Sequence, residues 1–166
     1  MWWSERRAFL GMMLAPLLVL PACGFTPAYG PEGGAGRLQG SIEVDAPTDR
    51  DSFLLVQALE NRLGRAAAPS YGLSLALEVK QERMAINATN ITTRFNVIGK
   101  ATFALRDLGD GKVLQSGSVD SFTGFSATGS TVATQAAQRD AHERLMTILA
   151  DQITTRLIAR AGELAQ

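Results

Sequence analysis

The chain has 166 residues, and its 16 basic and 16 acidic side chains give a net charge of zero. This balance excludes a protein that binds nucleic acid through a strong overall positive field. One cysteine alone cannot form an internal disulfide, and aromatic residues make up only 7% of the chain, so the core is expected to be mainly aliphatic.

The first 22 residues have the pattern of a secretory signal peptide. Arg6 and Arg7 precede an apolar run over residues 8–20, and the small residue Ala22 stands just before the lone Cys23. A basic start, an apolar run of this length and a small-residue junction are typical of exported proteins. The run is too short for a membrane-spanning helix, which needs about 20 residues. We therefore predict that residues 1–22 are removed.

The residues around Cys23 resemble a bacterial lipobox, in which the cysteine thiol is lipidated and becomes the mature N-terminus. An ordinary signal peptide with a chance cysteine is the alternative, but the only cysteine stands at the one useful position. Gly24 follows it, and by resemblance to bacterial lipoproteins this favours the outer over the inner membrane. We predict a lipid-anchored, periplasm-facing protein of the outer membrane. The two arginines fit both a general secretory and a twin-arginine export signal.

The mature chain divides into a tether and one domain. Residues 23–37 are rich in Gly and Pro and cannot bury enough apolar surface to order themselves, which predicts a lipidated flexible tether. Residues 38–166 have the length and apolar content of a single domain.

The domain begins with a strand and a helix. Residues 38–46 alternate between apolar and polar side chains, which predicts a short strand that Pro47 ends. Thr48 or Asp49 then caps an amphipathic helix that runs to about Leu63. The glycine that follows is typical of a helix C-terminal cap.

Three alternating runs come next and predict three strands: residues 73–86, 95–106 and 113–125. Residues 87–90 have turn composition, and Asp110-Gly111 is a strong hairpin signal. Together these features predict an antiparallel meander. Gly99 interrupts the second run and is expected to mark a bulge.

A long helix closes the chain, with Thr131 as its predicted cap and about residue 161 as its end. Its apolar stripe is Ala141, Leu145, Leu149, Ile153 and Leu157. Thirty residues at about 1.5 Å each exceed what a compact sheet needs, so one end is expected to project. The element order β-α-β-β-β-α predicts an α+β two-layer sandwich, with two helices on one face of a four-stranded sheet.

No pattern for catalysis, a cofactor or a metal occurs in the sequence. The only histidine, His142, stands beside Glu143 on the last helix and is expected to be a helix-flank residue without an acidic partner. A nucleophile elbow, a phosphate loop and a dinucleotide-binding fingerprint are all absent. We predict that the protein is not an enzyme and needs no cofactor.

Four basic side chains follow the two central strands: Lys80, Arg83, Arg94 and Lys100. If these strands pair around residues 87–90, Arg83 and Arg94 are expected to come close together. The even-numbered members share a parity opposite to the apolar face. They predict either an exposed basic patch for phosphate or sulfate groups, or an ordinary solvated sheet face.

Three stretches together resemble the lipopolysaccharide-assembly lipoprotein family, LptE, in its alphaproteobacterial form. The most specific is Cys23-Gly24-Phe25-Thr26-Pro27-Ala28-Tyr29-Gly30, directly after the lipobox. The second is the helix segment at residues 53–63. The third is the closing helix with Arg144-Leu145-Met146 and the segment at residues 152–157. The resemblance covers essentially the whole mature chain.

The resemblance implies a partner and a function. Members of this family sit as a plug inside a large outer-membrane β-barrel, help that barrel to fold, and assist insertion of lipopolysaccharide into the outer leaflet without being enzymes. They are also implied to bind lipopolysaccharide through basic residues, matched here by Arg83, Arg94 and Lys100. One alternative is an envelope lipoprotein that binds another barrel or peptidoglycan. An envelope hydrolase is a further alternative, but it would need a clustered nucleophile and base that the sequence lacks.

Overall fold

The computed structural model describes residues 35–86, 92–127 and 129–162, so the predicted signal peptide, Cys23 and most of the tether lie outside the described residues. The elements in chain order are α1 (Ala35–Leu38), β1 (Ile42–Val44), α2 (Arg50–Leu63), β2 (Tyr71–Ile86), β3 (Thr92–Asp107), β4 (Val113–Ser126) and α3 (Thr131–Arg160). The predicted α+β architecture is confirmed. Helix α1 is additional and spans the boundary that we predicted between tether and domain.

The four strands form one sheet in the order β1-β2-β3-β4. β1 runs parallel to β2, which is possible because α2 provides the crossover between them. β2, β3 and β4 pair antiparallel as the predicted meander. β1 has only three residues, and it pairs only with Tyr71–Leu73 at the start of the 16-residue β2.

Helices α2 and α3 pack side by side on one face of the sheet, as predicted. All five residues of the predicted stripe on α3 are buried, and they join odd-numbered strand residues such as Val97 and Phe103 in one core. By contrast, no residue of the segment 131–140 is buried. The start of α3 therefore extends past the core, as the helix length predicts, and Ala137 is the first of its residues to pack against the core.

The caps of α2 are those that the sequence predicts. Asp49 accepts a hydrogen bond from the backbone N–H of Ser52 at 2.8 Å, and the Ser52 hydroxyl accepts one from the Asp49 N–H at 2.9 Å, which completes a capping box. The Ser52 N–H also lowers the pKa of the Asp49 carboxyl. Gly64 ends the helix with a φ of 78°, which favours glycine.

Two local predictions are wrong. Ser130, not Thr131, caps α3, because its extended backbone lets its hydroxyl accept the N–H of Ala133. Gly99 marks no bulge, since the register of β3 with both neighbours is regular across it. A Cβ on Gly99 would lie 3.0 Å from Leu145 Cδ2, so glycine is needed there to let α3 approach the sheet.

Candidate functional site

The predicted basic residues are divided between the two faces of the sheet. Lys80, Arg94 and Lys100 occupy even positions, which point away from the helices. Arg83 instead pairs with Phe95, whose ring stacks on Phe125 on the helix-facing side. The expected meeting of Arg83 and Arg94 is therefore wrong. Arg83 and Arg94 lie near each other along the strands, but strand alternation directs their side chains to opposite faces, because Arg94 is the neighbour of Phe95 on β3.

Lys100 is flanked by acids on the open face. It pairs with Glu78 of β2 on one side and with Asp120 of β4 on the other. This row of three side chains carries one positive and two negative charges, so it offers little attraction to an anion. Lys80 pairs with Ile98, one row nearer the β2–β3 turn. The four predicted residues thus do not form one continuous basic patch.

A surface cleft of about 300 Å³ brings Arg94 together with a different arginine. Its lining residues are Arg94, Gly124, Phe125, Ser126, Ala137, Asp140 and Arg144. Arg94 comes from the open face of the sheet, and its Nη2 lies only 3.6 Å from where a Cβ on Gly124 would be. Arg144 comes from α3 on the opposite face, and its Nη2 donates to the carbonyl of Gly124 at 3.3 Å. The two guanidinium groups therefore both reach Gly124, one from each face of the sheet.

The charges in this cleft favour an anion. Arg144 also forms an ion pair with Asp140, with Nε 3.0 Å from Oδ2, which neutralises one positive charge. Arg94 is exposed and has no hydrogen bond or ion pair to the described residues. A free guanidinium presents a planar set of donors that fits phosphate or carboxylate oxygens in pairs. The cleft is thus a candidate site for an exposed phosphate group.

His142 has an acidic partner that the sequence did not reveal. Its Nδ1 lies 3.0 Å from both carboxylate oxygens of Asp51 on α2, and each side chain is about one fifth exposed. The pair borders a second cleft of about 340 Å³, lined by Asp49, Arg50, Asp51, Gln138, Arg139 and His142. These lining residues include no serine, threonine or cysteine nucleophile. The pair therefore links α2 to α3.

Two further findings apply to the described segments alone. Residues 35–86, 92–127 and 129–162 contain no group of three or more His, Cys, Asp or Glu side chains that could hold a metal ion. No helix within these same segments combines the length and the apolar character needed to cross a membrane.

The family comparison agrees with the sequence resemblance. The family model of LptE, described as lipopolysaccharide-assembly, matches residues 40–157. The chain belongs to the LptE family. The match extends from just before β1 into the last turn of α3, and therefore includes the whole sheet and both clefts.

Solved structures of bacterial lipoproteins have the same fold. A lipoprotein from Caulobacter crescentus CB15 is similar at 26% identity and a TM-score of 0.65, over 81% of this chain and 98% of that chain. Rare lipoprotein B from Shewanella oneidensis is similar in fold, at 13% identity and a TM-score of 0.58, over 76% of this chain and 98% of that chain. Lipoprotein B from Nitrosomonas europaea is also similar in fold, at 10% identity and a TM-score of 0.55, over 75% of this chain and 86% of that chain. No curated protein sequence matches the chain.

Proposed function

We propose that this protein is a non-enzymatic outer-membrane lipoprotein that plugs and helps assemble the lipopolysaccharide-translocating β-barrel. Membership of the LptE family over residues 40–157 is the observation that carries the proposal. The fold shared with the Caulobacter crescentus lipoprotein supports it.

Lipidation of Cys23 is the proposed means of membrane attachment. Twelve peptide units separate Cys23 from Ala35, and at about 3.3–3.6 Å each they reach about 40 Å at most. Several acyl chains on one cysteine anchor a protein stably, whereas one chain binds only marginally. Cys23→Ala should therefore release the mature protein from membranes. Recovery of a mature N-terminus elsewhere, or of an unmodified Cys23, would refute this attachment.

The cleft with Arg94 lies far from the end of the domain that the tether enters. Ser41, just after α1, accepts the backbone N–H of Tyr71 at the start of β2, so α1 lies at the base of the sheet. Arg94 is twelve residues from Arg106 along β3, and Arg106 pairs at this base. At about 3.4 Å per residue the separation is about 40 Å. The cleft thus lies at the end of the domain opposite to the point where the tether enters.

Within this proposal, Arg94 and Arg144 contact a phosphate of lipopolysaccharide. Arg94 supplies the free charge and Arg144 a second guanidinium. Lys80 and Arg83 lie towards the same end of the sheet and add positive charge at longer range. Lys100 contributes least because Glu78 and Asp120 flank it.

Lipopolysaccharide binding by the purified full-length protein in detergent tests the lipid contact. The double change Arg94→Glu with Arg144→Glu should reduce binding strongly. Wild-type binding should weaken as salt rises, because the Debye length is only about 8 Å at physiological ionic strength. Arg139→Glu is the matched control, since Arg139 is an exposed arginine of the same helix in the other cleft. Equal loss in both variants, or no loss in the double variant, would remove the lipid contact from the proposal.

Depletion of the protein in its native cell tests the assembly role. If it helps the barrel to fold, the amount of mature barrel and of surface lipopolysaccharide should fall together. Unchanged barrel levels would favour the alternative of an envelope lipoprotein with another partner.

A further inference from the structure

The two outer edges of the sheet differ in how their backbone groups are satisfied. On β4, the carbonyls of Ser118 and Gly124 accept hydrogen bonds from Arg156 and Arg144 of α3. On β2, β1 pairs only with Tyr71–Leu73. Beyond that point, the outer backbone edge of β2 has no partner in the described part of the chain. The later part of β2 is therefore an open edge of the sheet, whereas side chains of α3 cover part of the β4 edge.

The free backbone groups of this edge belong to odd-numbered residues. The N–H of Asp45 donates to the carbonyl of Leu73 at 2.9 Å, which shows that Leu73 directs its carbonyl outward. Alternate residues of a strand share this direction. The next residues with outward N–H and C=O groups are Leu75, Leu77 and Val79. Their side chains face the helices but are only half-buried, because neither helix covers them fully.

The middle of this edge keeps a regular backbone, although Lys80 and the helix-facing Arg83 are charges of the kind that protect natural edges. Residues 74–82 contain no proline, and their register with β3 is regular. Exposed edges are usually blunted by proline, bulges or inward-pointing charges, because an unprotected edge pairs with another strand. Here the charged side chains are Glu78, Lys80 and Glu82, at alternate positions on the open face. The edge is available for strand addition.

We propose that this edge pairs with the same edge of a second copy of the chain, antiparallel and with the two-fold axis at Val79. In this register the outward groups of Val79 face those of Val79 in the second copy. Glu78 lies opposite Lys80 of the second copy, and Lys80 opposite its Glu78. Two cross-strand ion pairs thus form on the open face, as an isologous two-fold contact requires.

The charge pattern selects the second copy and the register. An axis at Lys80 would place Lys80 opposite itself and Glu78 opposite Glu82, and both contacts are repulsive. The axis at Val79 also brings Arg83 of the second copy opposite Leu75. Leu75 lines a small cleft with the loop that carries Asp45 and Asp49, which gives that arginine acidic neighbours. An axis at Gln81 would keep ion pairs between Lys80 and Glu82 but place Arg83 opposite Val79, away from this loop.

The contact is small, about nine residues a side, from Leu75 to Arg83. Interfaces well below about 1,200 Å² are generally weak or transient, so a reversible dimer is expected. The dimer requires only copies of this chain, so its formation does not depend on the proposed barrel partner.

Disulfide crosslinking of the purified full-length protein in detergent tests the contact. Val79→Cys should form a disulfide dimer under mild oxidation, because a hydrogen-bonded antiparallel pair has a Cα separation of about 5.5 Å, within the range for a disulfide. Val132→Cys is the control for random collision, since Val132 is 76% exposed on the projecting end of α3. The unaltered chain measures any contribution from Cys23.

Charge reversal tests the register. Lys80→Glu in the Val79→Cys background should lower the dimer yield about tenfold, because two ion pairs become two like-charge pairs. Adding Glu78→Lys should restore the yield. A Val79→Cys yield no higher than that of Val132→Cys would overturn the proposal. Faster crosslinking by Gln81→Cys than by Val79→Cys, or no rescue by the second change, would also overturn it.

Discussion

Leu145 of α3 occupies the space that Gly99 leaves open on β3. A Cβ on Gly99 would lie 3.0 Å from Leu145 Cδ2 and 3.1 Å from Leu149 Cδ1, which is closer than normal carbon contacts. The missing side chain therefore sets how near α3 lies to the centre of the sheet. The same approach brings Arg144, one residue earlier, to the β4 edge and its cleft.

Gly99→Ala should destabilise the domain by overpacking. Both leucines are fully buried, so a cost of about 1–3 kcal/mol in the free energy of unfolding is expected. Urea denaturation followed by circular dichroism measures it. Gly36→Ala is the control, since a Cβ there meets nothing within 4 Å. Equal stability of the Gly99→Ala variant and the wild type would contradict the close helix approach.

Leu149→Ala should destabilise the domain by removing buried apolar contacts of α3. Leu149 is fully buried on the α3 stripe, and its truncation should cost about 2–5 kcal/mol. The exposed Val132 on the same helix provides the comparison, because Val132→Ala should change stability by less than about 0.5 kcal/mol. Similar small effects at both positions would mean that the stripe faces solvent or a partner.

The sequence predicted the fold well because each element has a regular pattern of apolar residues. The period-two alternation identified the core face of β2 and β3, and the stripe beginning at Ala141 identified the buried face of α3. The errors concern two kinds of position. In one, two neighbouring residues can play the same chemical role; in the other, a contact with a distant part of the chain determines which residue is needed. Ser130 and Thr131 can both cap a helix, and only the backbone conformation distinguishes them. Gly99 is explained by a helix distant in sequence.

The candidate cleft could be predicted only in part. Parity placed Arg94 on the open face, and the same parity places the odd-numbered Arg83 on the other face. Arg144 was missed because its position four residues after Asp140 indicates an ordinary surface ion pair. Its proximity to Arg94 depends on where α3 crosses the sheet, which the local pattern does not specify.

The pair His142 and Asp51 should contribute to the contact between α2 and α3. Both side chains are mostly buried, with Nδ1 3.0 Å from each carboxylate oxygen. A double-mutant cycle with His142→Ala and Asp51→Ala should give a coupling energy of about 0.5–3 kcal/mol. The exposed pair of Asp140 and Arg144 should give only about 0.3–0.5 kcal/mol. A smaller coupling for the first pair than for the second would contradict the interhelical role.

The cap at Asp49 should make part of the stability depend on pH. The Ser52 N–H lowers the pKa of this carboxyl in the folded state, so its ionised form stabilises the fold above the unfolded value of about 3.9. That contribution is lost as the pH falls through the folded pKa. Asp49→Ala should cost about 0.5–2 kcal/mol near neutral pH and less in acid. Asp49→Asn, which keeps a neutral cap, should remove the pH dependence. A cost of Asp49→Ala that does not change with pH would contradict this account.

Purification of the tagged full-length protein from its native membrane in mild detergent tests the central proposal most directly. Mass spectrometry of the proteins that accompany it identifies the partner. A plug and assembly factor of the lipopolysaccharide-translocating barrel should bring a large outer-membrane β-barrel with it, and Cys23→Ala should reduce the recovery of that barrel. Recovery of peptidoglycan-associated proteins or of a different complex, with no such barrel, would contradict the proposed function.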